Sequence, residues 1–205
     1  MYYFRAMATA SKISGVQSVP TAVLSRLAAT KVQELSGDWI EMGSLWSDRP
    51  AAIVWLRHYG CIFCREQATE LRSIVDEAET MGTLAIVSTG SVDHGRDFEK
   101  THGEGLRSLV DSERKTYQVL SFRRGGRSSL DPRTYLRGIQ AATKGFMQGR
   151  TRGDAMQQGG VLVVAAGGQP VFFQRSEFAG DHARLEQILS ALRDAAEIAP
   201  RSAAS

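Results

Sequence analysis

The stretch "AAIVWLRHYGCIFCREQ", residues 51–67, decides how the rest of the chain is read. "AAIVWLR" is an unbroken apolar run behind Pro50, the pattern of a strand buried on both faces. From Cys64 onward, Ala68, Leu71, Val75 and Ala78 recur at steps of four, three, four and three, which is one face of an α-helix. The spacing predicts a helix through "CIFCREQATELRSIVDEAETMG" (61–82), with Gly82 placed to end it. Both cysteines of the 205-residue chain fall where the strand becomes the helix.

That position carries chemistry. The first turn of a helix has free N–H groups and the positive end of the helix dipole, and both stabilise a thiolate. Arg57, His58 and Arg65 add basic groups nearby, so a cysteine here is expected to titrate below the free-thiol value of about 8.5. Two cysteines three apart on one turn are also near enough to form a disulfide. A redox pair is the reading these features favour. Cys64 lies in line with the sheet-facing stripe and is expected to be the more buried. Cys61, at the start of the first turn, is expected to be the more open and so the attacking sulfur. His58 would hold a proton near neutral pH and tune Cys61, or pack under the loop. The competing readings are weaker. Structural zinc requires four ligands, and His94, His102 and His182 are scattered, with no second Cys-x-x-Cys. Inert core thiols fit poorly with three basic neighbours. A staple spanning two residues would restrain little of the unfolded chain.

Working outward, "VPTAVLSRLAATKVQ" (19–33) predicts a short helix leading into a strand. Ser36-Gly37-Asp38 predicts a hairpin turn. "TLAIVS" (83–88) and "SLVD" (108–111) read as strands, with helices in "VDHGRDFEKTH" and "SERKTYQVL". A helix capped by Asp131 with Pro132 in its first turn should show Leu136, Ile139, Thr143 and Phe146 on one face and Arg133, Arg137 and Lys144 on another. "GGVLVVAAGGQPVFFQR" reads as two strands around a glycine-rich turn. "DHARLEQILSALRDAAE" reads as a last helix capped by Asp181, with Leu185, Ile188, Leu189 and Leu192 inward. Alternating strand and helix argues an α/β sheet, and the closing hairpin makes it mixed. Residues 1–18 are expected to be a flexible extension, 19–195 the domain and 196–205 a disordered tail.

Composition narrows the function classes. The net charge of +3 is too small to argue nucleic acid. The longest apolar run, "VLVVAA" (161–166), is far short of a membrane span. Two cysteines do not make a disulfide framework of the secreted kind. "MYYFRAMATASKISG" lacks the continuous apolar core of a secretory signal, so a cytoplasmic protein is expected. No Asp or Glu precedes Glu34, however, whereas Arg5, Lys12, Arg26 and Lys31 do, and an organelle transit segment has that composition. Between Phe122 and Arg152 stand eight Arg or Lys and one acid, Asp131. This reads first as a solvated face, and otherwise as a surface for a fatty-acid-like substrate, an acidic electron donor or a membrane. It lacks the interleaved aromatics expected of a nucleic-acid surface.

"RHYGCIFCREQ", "DPRTYLRGIQA" and "QGGVLVVAAGGQPVFFQRSEFAGDHARLEQIL", in this order, resemble the peroxiredoxin-like AhpC/TSA family, in the branch that includes prostamide/prostaglandin F synthase. The resemblance runs over about residues 25–195. It implies a thioredoxin-like three-layer α/β/α fold with a central mixed sheet and an extra basic helix before the final hairpin. It also implies thiol-based reduction of a peroxide or endoperoxide, no bound cofactor, and reducing equivalents from thioredoxin and NADPH. Typical members carry a threonine three residues before the peroxide-attacking cysteine, and Cys61 occupies that place if Cys64 is aligned as the attacker. Thioredoxins attack with the first cysteine, which here is Cys61. Thioredoxins have a cis-proline, and typical peroxiredoxins an arginine, before the strand facing the cysteines. Here stand Gln158, Gly159 and Gly160, which are expected to line a small surface for a bulkier substrate or an extended chain. Arg57 or Arg152 would supply the missing cation. A protein dithiol–disulfide reductase and a non-catalytic binding protein of the same fold are the alternatives.

Overall fold

The computed structural model describes residues 18–125 and 132–198. Asp131, most of the N-terminal extension (1–17) and residues 199–205 lie outside them, and so do the cap and transit readings placed there. The elements are α1 (Thr21–Ala28), β1 (Lys31–Glu34), β2 (Trp39–Glu41), β3 (Ala51–Trp55), α2 (Ile62–Arg72), α3 (Val75–Met81), β4 (Thr83–Ser88), α4 (Val92–Phe98), β5 (Arg107–Val110), α5 (Lys115–Val119), α6 (Pro132–Thr143), β6 (Gly160–Ala165), β7 (Gln169–Arg175) and α7 (Leu185–Ala196). A 3-10 turn precedes β3 and a π turn follows α4.

The seven strands form one mixed sheet in the order β2-β1-β5-β4-β3-β6-β7. Strands β3, β4 and β5 are parallel, while β1 joins β5 and β6 joins β3 antiparallel. Strand β3 is buried along its whole length, as the apolar run requires. Its residues divide by period two. Ala52, Val54 and Leu56 face a core formed with α2, α3 and α7, whereas Ala51, Ile53 and Trp55 face one formed with α1, the 3-10 turn and α5. This is the expected three-layer α/β/α arrangement.

The end of β3 is held from behind. Tyr117 donates its hydroxyl proton to Leu56 O (2.6 Å) and lies 3.0 Å from Val87 O. The Trp55 indole donates to Thr116 Oγ1, and Thr116 donates to Asp111, which also accepts from the backbone N–H groups of Lys115 and Thr116 at the start of α5. The strand therefore delivers Arg57 and the cysteine loop from a buried, hydrogen-bonded base.

Three expectations are corrected. The single helix over 61–82 is two helices, because Ser73 and Ile74 bond back three residues and the Ser73 hydroxyl also donates to Glu70 O, which tightens and ends α2. Helix α7 is not capped by Asp181. Its N-cap is Arg184, and the Asp181 carboxylate accepts from Glu177 N instead. Order continues past 195, with α7 running to Ala196 and Ile198 packed on the core. The shared face of Leu136 and Ile139 on α6 is turned to solvent, and the buried residue of that helix is Ala141.

Candidate active site

Cys61 is the N-cap residue of α2, with extended backbone (φ −74°, ψ 129°), and its carbonyl accepts the first helical hydrogen bond, from Arg65 N. Cys64 lies one turn on and faces Ala52, Val54 and Leu56 of β3 within the same core. The two sulfurs are free thiols within hydrogen-bonding reach of each other. The helical stripe places Cys64 in the core as expected, but Cys61 is not open: they are 0% and 1% exposed.

The cover over Cys61 is the segment 146–157, which follows α6. Gly149 N donates to Gly60 O (3.0 Å), Tyr59 N to Arg152 O (3.2 Å) and the Arg65 guanidinium to Met147 O (2.9 Å). Gln148 grips the loop twice. Its amide nitrogen donates to Gly60 O (3.0 Å) and its oxygen accepts from Ile62 N (3.1 Å), which satisfies a free N–H of α2 from 86 residues away. The approach is so close that a Cβ on Gly60 would lie 1.8 Å from Arg150 O. Sequence reasoning took this stretch as part of a basic segment and missed Gln148. The closely spaced glycines 145, 149 and 153 were the available sign of a loop pressed against another backbone.

Arg57 stands between the sulfurs and this strap. Its backbone N–H points to Cys64 Sγ (3.3 Å) and its guanidinium to Cys61 Sγ (3.7 Å), while the other guanidinium nitrogens donate to Ala155 O (2.6 Å) and Gln157 O (3.1 Å). Arg152, the alternative cation, is instead paired with Asp97 at 2.9 Å. The Cys61 thiol is lowered from 9.0 to about 6, first by the hydrogen bond from Cys64, against the opposing effect of burial, and then by the Arg57 charge and the N–H groups of Cys64 and Phe63. Burial and the donated hydrogen bond raise Cys64 well above the ordinary range. The arrangement favours the thiolate at Cys61 and the neutral thiol at Cys64.

One pair of readings is decided and one expectation is corrected. His58 packs under the loop, the second of its two readings, and does not carry a proton near neutrality. Burial, then the Arg57 charge, lowers it to about 4, and its Nδ1 accepts from Gly60 N. His182 lies against Phe63 and is likewise lowered to about 4 by burial. Gln158, Gly159 and Gly160 are buried and do not line an open surface. A Cβ on Gly159 would lie 1.8 Å from Trp55 O, and one on Gly160 would lie 2.4 Å from Gln174 O, so the glycines serve the close approach of backbones. The segment reaches the site indirectly, through Gln157 O and Arg57. Among the described residues no group of three or more His, Cys, Asp or Glu is placed to hold a metal ion.

The sequence model of the AhpC/TSA antioxidant enzymes matches residues 70–177, just over half of the chain, starting after the cysteine loop. Prostamide/prostaglandin F synthase of Salmo salar is 32% identical over 85% of this chain and 90% of its own length. The chain belongs to the AhpC/TSA family. Thioredoxin-like protein AAED1, chloroplastic, of Arabidopsis thaliana is 28% identical over 91% of this chain and 81% of its own length. Among solved structures, peroxidoxin BcpB of Mycobacterium tuberculosis superposes with a TM-score of 0.57 at 16% identity, over 80% of this chain and 92% of that one, a likeness of fold. The AhpC/TSA enzymes are thiol oxidoreductases, and this member carries its two sulfurs at the β3–α2 junction.

A pH series of alkylation checks the electrostatics. In native protein the rate of Cys61 carbamidomethylation is expected to rise through about pH 6 and then level off. Arg57→Met should move the midpoint upward, toward the free-thiol range of about 8.5. An unchanged midpoint in the variant would remove the role given to the guanidinium.

Proposed function

We propose that the protein reduces a peroxide or endoperoxide through Cys61 and Cys64 and is recycled by thioredoxin or a similar dithiol. The observation that carries this reading is the placement of two buried sulfurs one turn apart at the start of α2, with the Arg57 N–H on Cys64 Sγ (3.3 Å) and its guanidinium on Cys61 Sγ (3.7 Å). The Cys61 thiolate attacks one oxygen of the O–O bond. With a hydroperoxide the second oxygen leaves with a proton as an alcohol or water, and Cys61 becomes a sulfenic acid; with an endoperoxide, whose oxygens are both on carbon, the second oxygen takes a proton as one alcohol and Cys61 becomes a sulfenate ester, from which Cys64 displaces the other alcohol. The Cys64 sulfur, deprotonated as it attacks, then displaces hydroxide from that sulfenic sulfur, giving a disulfide and water. Two electrons from the external dithiol restore both thiols by exchange. The Arg57 guanidinium points to the Cys61 sulfur, where its charge favours the attacking thiolate. Both sulfurs are buried, so the cysteine loop or the segment 146–157 bonded to it must shift for an oxidant to enter.

Intact mass after one equivalent of hydroperoxide tests this reading. The expected result is loss of two hydrogens, reversed by reduced thioredoxin and absent when either cysteine is replaced. The same mass change without dependence on the cysteines would refute it. Reduction of insulin disulfides without peroxide consumption would point to a protein dithiol–disulfide reductase instead. The chloroplastic relative and the acid-free N-terminus support an organelle as the site of action, with the cytoplasm the alternative.

A further inference from the structure

Helix α6 is mounted with its apolar side outward. The side turned to the body holds Ala141 and Gly138, the latter near Phe63. The attachments are otherwise polar or cationic. The Arg133 guanidinium lies over the Phe178 ring (4.3 Å), Arg137 donates to Gly180 O (3.2 Å), and Lys144 pairs with Glu66 (2.6 Å) and Glu70 (3.2 Å) of α2. With its polar flank engaged, the helix leaves Tyr135, Leu136 and Ile139 each at least 63% exposed, and Met147 beyond its end is 75% exposed. Positions 135, 136 and 139 lie within about a third of a turn of one another, so they form a continuous ridge. An apolar ridge left bare on the surface marks a place of contact.

Charge selects the occupant. From Pro132 to Gly153 there are five Arg or Lys and no Asp or Glu, in a chain whose net charge is only +3. A second copy docking on this ridge would bring like charges together with no acid of the segment to meet them. The ridge is also convex, formed by one helix, and offers no groove to a folded protein. Side chains on such a ridge enter the boundary between lipid headgroups and acyl chains without needing a matched shape, while Arg137 and Arg150 meet anionic headgroups, Lys144 and Arg152 being already paired with Glu66, Glu70 and Asp97.

We propose that α6 and the residues just after it dock on an anionic lipid bilayer, with Tyr135, Leu136, Ile139 and Met147 inserted at the headgroup–acyl boundary. The docking stands independently of turnover at the cysteines. Helix α6 continues through Gly145 into the segment that covers Cys61, so the bilayer contact and the cover are one stretch of chain.

Flotation of the full-length protein with vesicles tests the proposal. Binding is expected to vesicles of phosphatidylcholine mixed with phosphatidylserine, and about tenfold or more weaker binding to phosphatidylcholine alone, since each cation near an anionic surface contributes about 1 kcal/mol. Leu136→Glu/Ile139→Glu should abolish flotation while leaving the thermal unfolding curve in place, because both side chains are exposed. Arg150→Glu should weaken it on the mixed vesicles only. Absence of flotation with either vesicle, or flotation undiminished in the double variant, would overturn the proposal. So would a dimer in sedimentation that the double variant dissolves, which would assign the ridge to a second copy of the chain.

Discussion

Cys61→Ser protein is expected to lose peroxide turnover by about 10³-fold or more, because a serine hydroxyl at this position cannot supply the anion that the site holds. Cys64→Ser is expected to behave differently. It should consume one equivalent of peroxide, gain one oxygen in mass and stop, with the sulfenic acid stranded for want of a second sulfur. The distinction follows from the hydrogen bond between the pair. The serine hydroxyl still donates to Cys61, so the lowered titration of Cys61 should persist in Cys64→Ser and be lost in Cys64→Ala, which has no donor. Intact mass with a peroxide-consumption assay reads all three variants. If Cys64→Ser proves inert and Cys61→Ser gains the oxygen, the roles are reversed. Cys64 would then be the attacking sulfur, as the alignment to typical peroxiredoxins has it.

The second large effect concerns stability. Gly159→Ala places a methyl group 1.8 Å from Trp55 O, at the entry to β6 where it pairs with the end of β3. Backbone is the obstacle, and it belongs to the central strand, so relaxation must move the ladder itself. The expected cost is about 4 kcal/mol or more. For a chain of this length that corresponds to a fall in Tm of about 10 °C. Gly37→Ala is the control. That glycine has φ +106° but nothing within 4 Å of a Cβ, so its cost is the local conformational one of about 1–2 kcal/mol. Thermal unfolding of the two variants separates packing from backbone strain. A Gly159→Ala protein with native Tm and an altered KM would return the glycine to the substrate surface expected from sequence.

The residues that follow a period were legible without coordinates. The run 51–57 reads as a doubly buried strand, and the stripe from Cys64 through Leu71 places Cys64 in the core, because periodicity reports directly which residues share a face. What period cannot report is the direction a face is turned. Helix α6 has a clear apolar stripe, yet its partners Phe178, Gly180 and Glu66 take the other side. Contacts between distant segments leave even less trace. Nothing in the sequence around Gln148 says that its amide caps a helix starting at residue 62, and without that cover Cys61 would stand open as its position in the turn suggested. His58 stayed between two readings for the same reason: its basic neighbours were visible in the sequence, whereas the burial that keeps it neutral was not. The break at Ser73 was in principle readable, since a serine hydroxyl competes for the carbonyls of the preceding turn, but the apolar stripe running through it to Ala78 concealed it.

The covering of Cys61 by residues 146–157 bears on how the sulfur ages. In the proposed cycle a sulfenic acid forms beside a thiol already within bonding reach, in a compartment that closes over both. Escape to the sulfinic state requires a second oxidant molecule to arrive before that neighbour condenses. In that cycle, burial of the repairing sulfur beside Cys61 favours condensation over a second oxidation.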